Sequence, residues 1–136
     1  MPTATEMLNT ARARLRRLTP EQAAVAAQRG AVLIDIRSDD QRRRFGPLPG
    51  AVVIARNVLE WRCDPAGEHR DPRVSDPERT LVVVCQEGYQ SSLAAAVLQS
   101  LGLPLATDVI GGFEACAAEA GLPAYEPASK RPSAAR

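Results

Sequence analysis

A single histidine, His69, stands in the 136 residues, so a histidine metal cluster cannot be assembled from this sequence. His69 lies in a charged, proline-containing stretch and reads as a solvated loop residue. Cysteine is scarce as well. Cys63, Cys85 and Cys116 are an odd number without C-x-x-C spacing, which argues against both a disulfide framework and a thiolate metal site. Charge of one sign is missing: 17 basic residues face 16 acidic ones, a formal net charge of +1, so no global field invites a nucleic acid or a membrane surface. No apolar run approaches the length that spans a bilayer, the N-terminus shows no signal-peptide pattern, and no internal repeat is evident. The expected setting is one soluble domain in a reduced cytoplasm, long enough to bury a core without disulfide staples.

What is present centres on Leu81-Val82-Val83-Val84-Cys85-Gln86-Glu87-Gly88-Tyr89-Gln90-Ser91-Ser92 and the alanine- and leucine-rich stretch that follows to Leu101. An apolar run of strand length ends in a thiol, a polar loop with one glycine follows, and a helical pattern begins at paired serines. The first amides of a helix lack internal partners, and the positive end of the dipole points into the preceding loop. Cysteines near helix N-termini or cations have their thiol pKa lowered from about 8.5 to somewhere between about 3.5 and 7.5. Two readings of Cys85 therefore stand side by side: a nucleophile, and a small buried thiol ending a core strand.

In chain order, Thr5 to Leu18 place Met7, Leu8, Ala11, Leu15 and Leu18 at helical spacing. They predict an N-terminal amphipathic helix within residues 1–18, with Arg12, Arg14, Arg16 and Arg17 on a solvated face. Thr19-Pro20-Glu21-Gln22 reads as an N-cap with proline at the first helical position, starting a helix that Gly30 stops. Ala31 to Ile36 is a buried-strand run between helices, the pattern of a parallel sheet. Asp35 and Arg37 stand near its C-terminal end, where open α/β sheets place their ligand crevice; a buried carboxylate there needs a partner. Ser38 caps a polar helix over Asp39 to Arg44, and Ala51 to Ile54 is the next short strand. Asn57 is placed to cap a helical turn, in which Leu59 and Trp61 pack on the core. Cys63 to Pro77 is a charged loop. Ala106 to Ile110 is a fourth strand ending at Gly111-Gly112-Phe113, before a last helix in which Cys116 is a packing residue.

This order of motifs resembles a single-domain rhodanese-like protein, a family of sulfurtransferases. The resemblance spans residues 19–125 and rests on Leu33-Ile34-Asp35-Ile36-Arg37, Leu48-Pro49-Gly50-Ala51, the loop from Cys85 to Gln90 before a helix, and Gly111-Gly112-Phe113. It implies an α/β fold, a small parallel sheet flanked by helices on both faces, followed by a disordered tail at 126–136. It also implies that Cys85 is the catalytic nucleophile, and that Gln86, Glu87, Gly88, Tyr89, Gln90 and Ser91 form the substrate-binding cradle. Asp35, Arg37 and Arg56 are supporting candidates. The implied reaction takes the outer sulfur from a donor such as thiosulfate onto Cys85 as a persulfide and hands it to cyanide or a thiol, or to a sulfur-accepting protein. No cofactor and no metal are expected.

Two positions depart from the family pattern. Gln90 stands where many members carry an arginine that holds an anionic donor, and Pro47 where a histidine often precedes the P-G-A turn. Glu87 adds a negative charge to the loop, and Arg37 or Arg56 is placed to supply a positive one. Two other functions compete. A phosphatase of related fold would need one more loop residue and an arginine to clamp phosphate, where this chain has Ser91. A non-catalytic binding module would keep the fold and lose the activity.

Overall fold

The computed structural model describes residues 1–119; the expected tail at 126–136, and residues 120–125 of the expected domain, lie outside the described residues. Its elements are α1 (Ala4–Ala13), α2 (Pro20–Gln28), β1 (Val32–Asp35), α3 (Asp39–Phe45), β2 (Val52–Val53), a 3-10 turn at Arg56–Val58, α4 (Leu59–Cys63), β3 (Leu81–Val84), α5 (Gln90–Ser100), β4 (Ala106–Asp108) and α6 (Gly112–Ala118). The four strands form one parallel sheet in the order β2-β1-β3-β4.

The sheet is central because β3 has no polar residue to give to water. Leu81, Val82, Val83 and Val84 are each fully buried, and alternation sends them into two cores. Leu81 and Val83 join Ile34, Leu59, Ala94, Ala95 and Leu98 on the α4 and α5 side. Val82 and Val84 join Leu33, Ala23, Ala24, Phe113 and Cys116 on the α2 and α6 side. Burying each of these valines and leucines contributes about 1.5–3 kcal/mol, which anchors the strand that leads into the thiol. Alanines at 23, 24, 94 and 95 keep the helices close to the sheet.

Local chemistry starts the helices. Thr19 accepts from the Gln22 amide while Gln22 bonds back to the Thr19 amide, and Ser38 and Gln41 repeat the arrangement at α3. The chain crosses from β1 to β2 on one side and to β3 on the other, which leaves a crevice between the C-terminal ends of β1 and β3. Asp35 and Cys85 stand on its two sides.

Three local expectations are corrected. Helix α1 ends at Ala13 and does not run to Leu18. The segment beyond it is drawn along β4 instead: the Leu18 amide donates to the Asp108 carbonyl at 3.0 Å, the Ile110 amide to the Leu18 carbonyl at 2.8 Å, and the Thr107 hydroxyl to the Arg16 carbonyl at 2.8 Å. Asn57 lies inside the 3-10 turn and does not cap it; Ala55 holds the N-cap position without a side-chain bond. Trp61 is 59% exposed, because α4 is one short turn whose inward positions are taken by Leu59 and Cys63.

Candidate active site

Cys85 follows the last residue of β3, so the strand delivers its sulfur to the crevice. The thiol belongs to a residue only 7% exposed. The Gly88 amide donates to Sγ at 3.2 Å and the Ser91 amide at 3.3 Å. The second is an orphan first-turn amide of α5. The carbonyls of the same loop are held elsewhere: the Phe113 amide donates to the Cys85 oxygen at 2.8 Å and the Glu114 amide to the Gln86 oxygen at 3.1 Å. Carbonyls drawn into the first turn of α6 leave the loop free to present amide dipoles to the sulfur.

That tether needs glycine at two places. Gly88 has φ +89°, and a Cβ there would lie 2.9 Å from the Gly111 nitrogen. Gly112 has φ +61°, and its Cβ would lie 2.6 Å from both the Cys85 oxygen and the Gly88 nitrogen. The pair of glycines before Phe113 is therefore a seat for the active loop as well as a turn.

Asp35 and Arg37 are both buried and form a bonded unit. Arg37 Nη2 lies 2.9 Å from Asp35 Oδ2, and Nη1 donates to Gln86 Oε1 at 3.2 Å. Nη2 also donates to the Gly46 carbonyl at 2.9 Å, and the guanidinium stacks 3.8 Å from the Phe113 ring centroid. Arg37 is thus fully engaged in ordering the loop through Gln86. Arg56 sits farther out: Nε donates to Gln90 Oε1 at 3.2 Å and Nη1 to Glu60 Oε1 at 2.8 Å. The Ser91 hydroxyl turns away from the crevice and donates to Asp108 Oδ2 at 2.8 Å, so only its amide meets the sulfur. Glu87, Tyr89 and Gln90 are exposed and line the cleft over the sulfur.

A cleft of about 210 Å³ opens over the sulfur, lined by Ile36, Arg37, Gln41, Cys85, Gln86, Glu87, Tyr89 and Gln90. It admits a small molecule. A larger depression of about 660 Å³ runs along α2 past Thr19, Val25 and Thr80 and contains no thiol or carboxylate pair. Among the described residues no group of three or more histidine, cysteine or acidic side chains could hold a metal ion, and no helix is long and apolar enough to cross a membrane. His69 is exposed.

Residues 19–119 match the family described as Rhodanese-like domain. The chain belongs to that family. It is 34% identical over 99 residues to the thiosulfate sulfurtransferase GlpE of Pseudomonas syringae, a match that covers 73% of this chain and 84% of the relative. The human single-domain sulfurtransferase TSTD1 superposes with a TM-score of 0.59 at 27% identity, over 74% of this chain and 92% of that one. A protein of unknown function from Rhodopseudomonas palustris, described as a possible tyrosine phosphatase, superposes with a TM-score of 0.80 at 29% identity, over 90% and 94%. The α/β fold with a parallel sheet is the rhodanese fold, and the chain is a rhodanese-type sulfurtransferase.

The site also contains residues that the sequence did not mark. Asp108, fully buried, accepts from Ser91, from Ser92 at 2.7 Å and from Arg17 at 2.9 and 3.2 Å. An acidic residue in an apolar strand was the available signal, the same one that drew attention to Asp35. Arg12 and Arg17 reach the Gly88 carbonyl at 2.7 and 3.1 Å, although helical spacing put them on a solvated face. Gln41 lines the cleft from α3.

Of the other described thiols, Cys63 is chemically separated from Cys85. Cys63 is fully buried, and that burial, with the Asp71 and Glu60 carboxylates adding to it, pushes its thiol from 9.0 up to about 12. The unfolded chain ionises this thiol first, so its contribution to stability is whole below about pH 9 and is lost as the pH rises through about 12. Native protein treated with iodoacetamide at neutral pH is therefore expected to carry the label on Cys85 and not on Cys63, as read by peptide mass. Equal labelling of the two would contradict this separation.

Proposed function

We propose that Cys85 carries the transferred sulfur as a persulfide, with thiosulfate as a donor and cyanide or a thiol, free or on a protein, as acceptor. The reading rests on the two amides, Gly88 and Ser91, aimed at Sγ. In the first half-reaction the Cys85 thiolate attacks the outer sulfur of thiosulfate, the S–S bond breaks, and sulfite leaves with the bonding electron pair. In the second, the acceptor attacks the outer sulfur of the persulfide and the thiolate is released. No external oxidant or base is required if the thiolate is already present. Each resting species places anionic sulfur opposite fixed amide dipoles, which stabilise it without reorganising. Gln86, Glu87, Tyr89 and Gln90 form the walls of the donor site, Asp35 and Arg37 hold the loop through Gln86, and Arg56 stands at the rim.

Incubation of the full chain with thiosulfate, followed by intact mass measurement, is expected to show the addition of one sulfur atom, removable by cyanide. An unchanged mass with thiosulfate and with persulfide donors would overturn the reading in favour of a non-catalytic binding module. Phosphatase activity is disfavoured by a loop without arginine, in which the hydroxyl of Ser91 is committed to Asp108. Hydrolysis of an aryl phosphate lost with Cys85 would reverse that judgement.

Gln90→Arg is expected to lower the KM for thiosulfate about three- to tenfold, because a cation at the cleft wall meets a dianion at an effective dielectric well below that of water. A KM that is unchanged or raised would show that position 90 does not limit donor binding.

A further inference from the structure

The loop from Cys85 to Gln90 contains no basic residue and one acidic one, Glu87. Its charged surroundings come from the side chains bonded to it and their partners. Asp35 and Arg37 follow from β1, Arg56 from the 3-10 turn with Glu60 of α4, Glu114 from α6 through Gln86, and Asp108 from β4. Arg12 and Arg17 complete the set, and both donate to the Gly88 carbonyl, at 2.7 and 3.1 Å. Four arginines thus face five carboxylates. Without Arg12 and Arg17, two would remain.

Both lie before residue 19, where the family match begins. They are held there by construction: Arg17 is bidentate to the buried Asp108, Leu18 bridges Val109, and Arg12 Nε donates to Ser92 Oγ at 3.1 Å while its guanidinium lies 5.5 Å from the Tyr89 ring centroid. Two cations on one carbonyl cancel its negative end and keep it turned toward α1, which fixes the glycine whose amide faces the sulfur.

We propose that Arg12 and Arg17 are positioning residues for an anionic sulfur donor, supplying from residues 1–18 the positive potential that the loop lacks; the proposal rests on the reading of Cys85 as the sulfur-carrying thiol. The test compares alkylation of Cys85 by iodoacetate and by iodoacetamide in the full chain, read by peptide mass. The same thiolate attacks both reagents, so the ratio of rates cancels its ionised fraction and any shared loss of loop order, and reports the potential met by an incoming anion. Arg12→Gln is expected to lower that ratio about three- to tenfold, Arg12→Lys to restore it to within about twofold, and Arg14→Gln, at the C-terminal cap of the same helix, to leave it unchanged. Arg17→Gln also strips Asp108 of its cation, so Arg12 is tested first. An unchanged ratio in Arg12→Gln, or equal falls in Arg12→Gln and Arg12→Lys, would overturn the proposal. A wild-type chain that takes no sulfur from thiosulfate but shows the ratio change overturns the functional reading while supporting the placement of the field.

Discussion

Cys85→Ser is expected to abolish sulfur loading from thiosulfate, with the rate falling by on the order of 10⁴-fold or more, as when a covalent nucleophile is deleted. A serine hydroxyl is essentially un-ionised at neutral pH and forms no counterpart of a persulfide. The fold should tolerate the change, because the side chain is small and the loop is tethered by main-chain bonds at Cys85 and Gln86 that do not involve the sulfur. Cys63→Ser and Cys116→Ser put a hydroxyl where a buried thiol stood and are expected to cost about 1–3 kcal/mol of stability. They should nevertheless load sulfur at the wild-type rate per folded molecule. Measuring loading alongside the unfolding midpoint separates the two kinds of loss. Retained loading in Cys85→Ser would move the sulfur carrier elsewhere in the chain.

The second large effect is expected at a residue with no chemistry of its own. Gly112→Ala places a Cβ 2.6 Å from the Cys85 oxygen and the Gly88 nitrogen, at a φ of +61°. Main chain on both sides cannot give way as a flexible side chain would. The overlap and the left-handed backbone together should destabilise the protein by about 2–5 kcal/mol. What survives folded should load sulfur at least about tenfold more slowly, since a displacement of the Gly88 amide weakens a transition-state dipole contact. Gly102→Ala is the control. Its φ is +100° but no atom lies within 4 Å of the added Cβ, so it should lose stability and keep the loading rate. Equal loading by the two variants would show that the α6 turn does not shape the loop.

The parts of this protein that were legible in the sequence are those written in short-range pattern. The apolar run into Cys85, the capping residues Thr19 and Ser38, and the glycine pair before Phe113 each announce an element within a few residues of themselves. Their order carried the fold. The unread parts depend on contacts across the chain. Arg12 and Arg17 have the spacing of a solvated helix face, and the packing of α1 on α5 with the pairing of Leu18 beside Val109 brings them to a loop 76 and 71 residues away. Ser91 was marked as part of the cradle, but the commitment of its hydroxyl to Asp108 exists only once β4 is laid beside β3 and α5. Trp61 misled because aromatic bulk suggests burial, whereas the single turn of α4 has room inside for Leu59 and Cys63 alone. Gln86 is neutral in any pattern, yet it joins Arg37 to Glu114 across the loop.

The tethers of the loop also bear on when the site comes into being. Gly88 is held from residues 12 and 17, Gln86 from residue 37, and the carbonyls of Cys85 and Gln86 from residues 113 and 114. During synthesis the first two sets of partners leave the ribosome long before the thiol does, and the last set follows it by almost thirty residues. Loop closures over such separations come late in folding. A chain still in production therefore lacks the main-chain bonds to Phe113 and Glu114 that hold the Cys85 loop in the folded protein, and the loop takes its final shape only once α6 has been made.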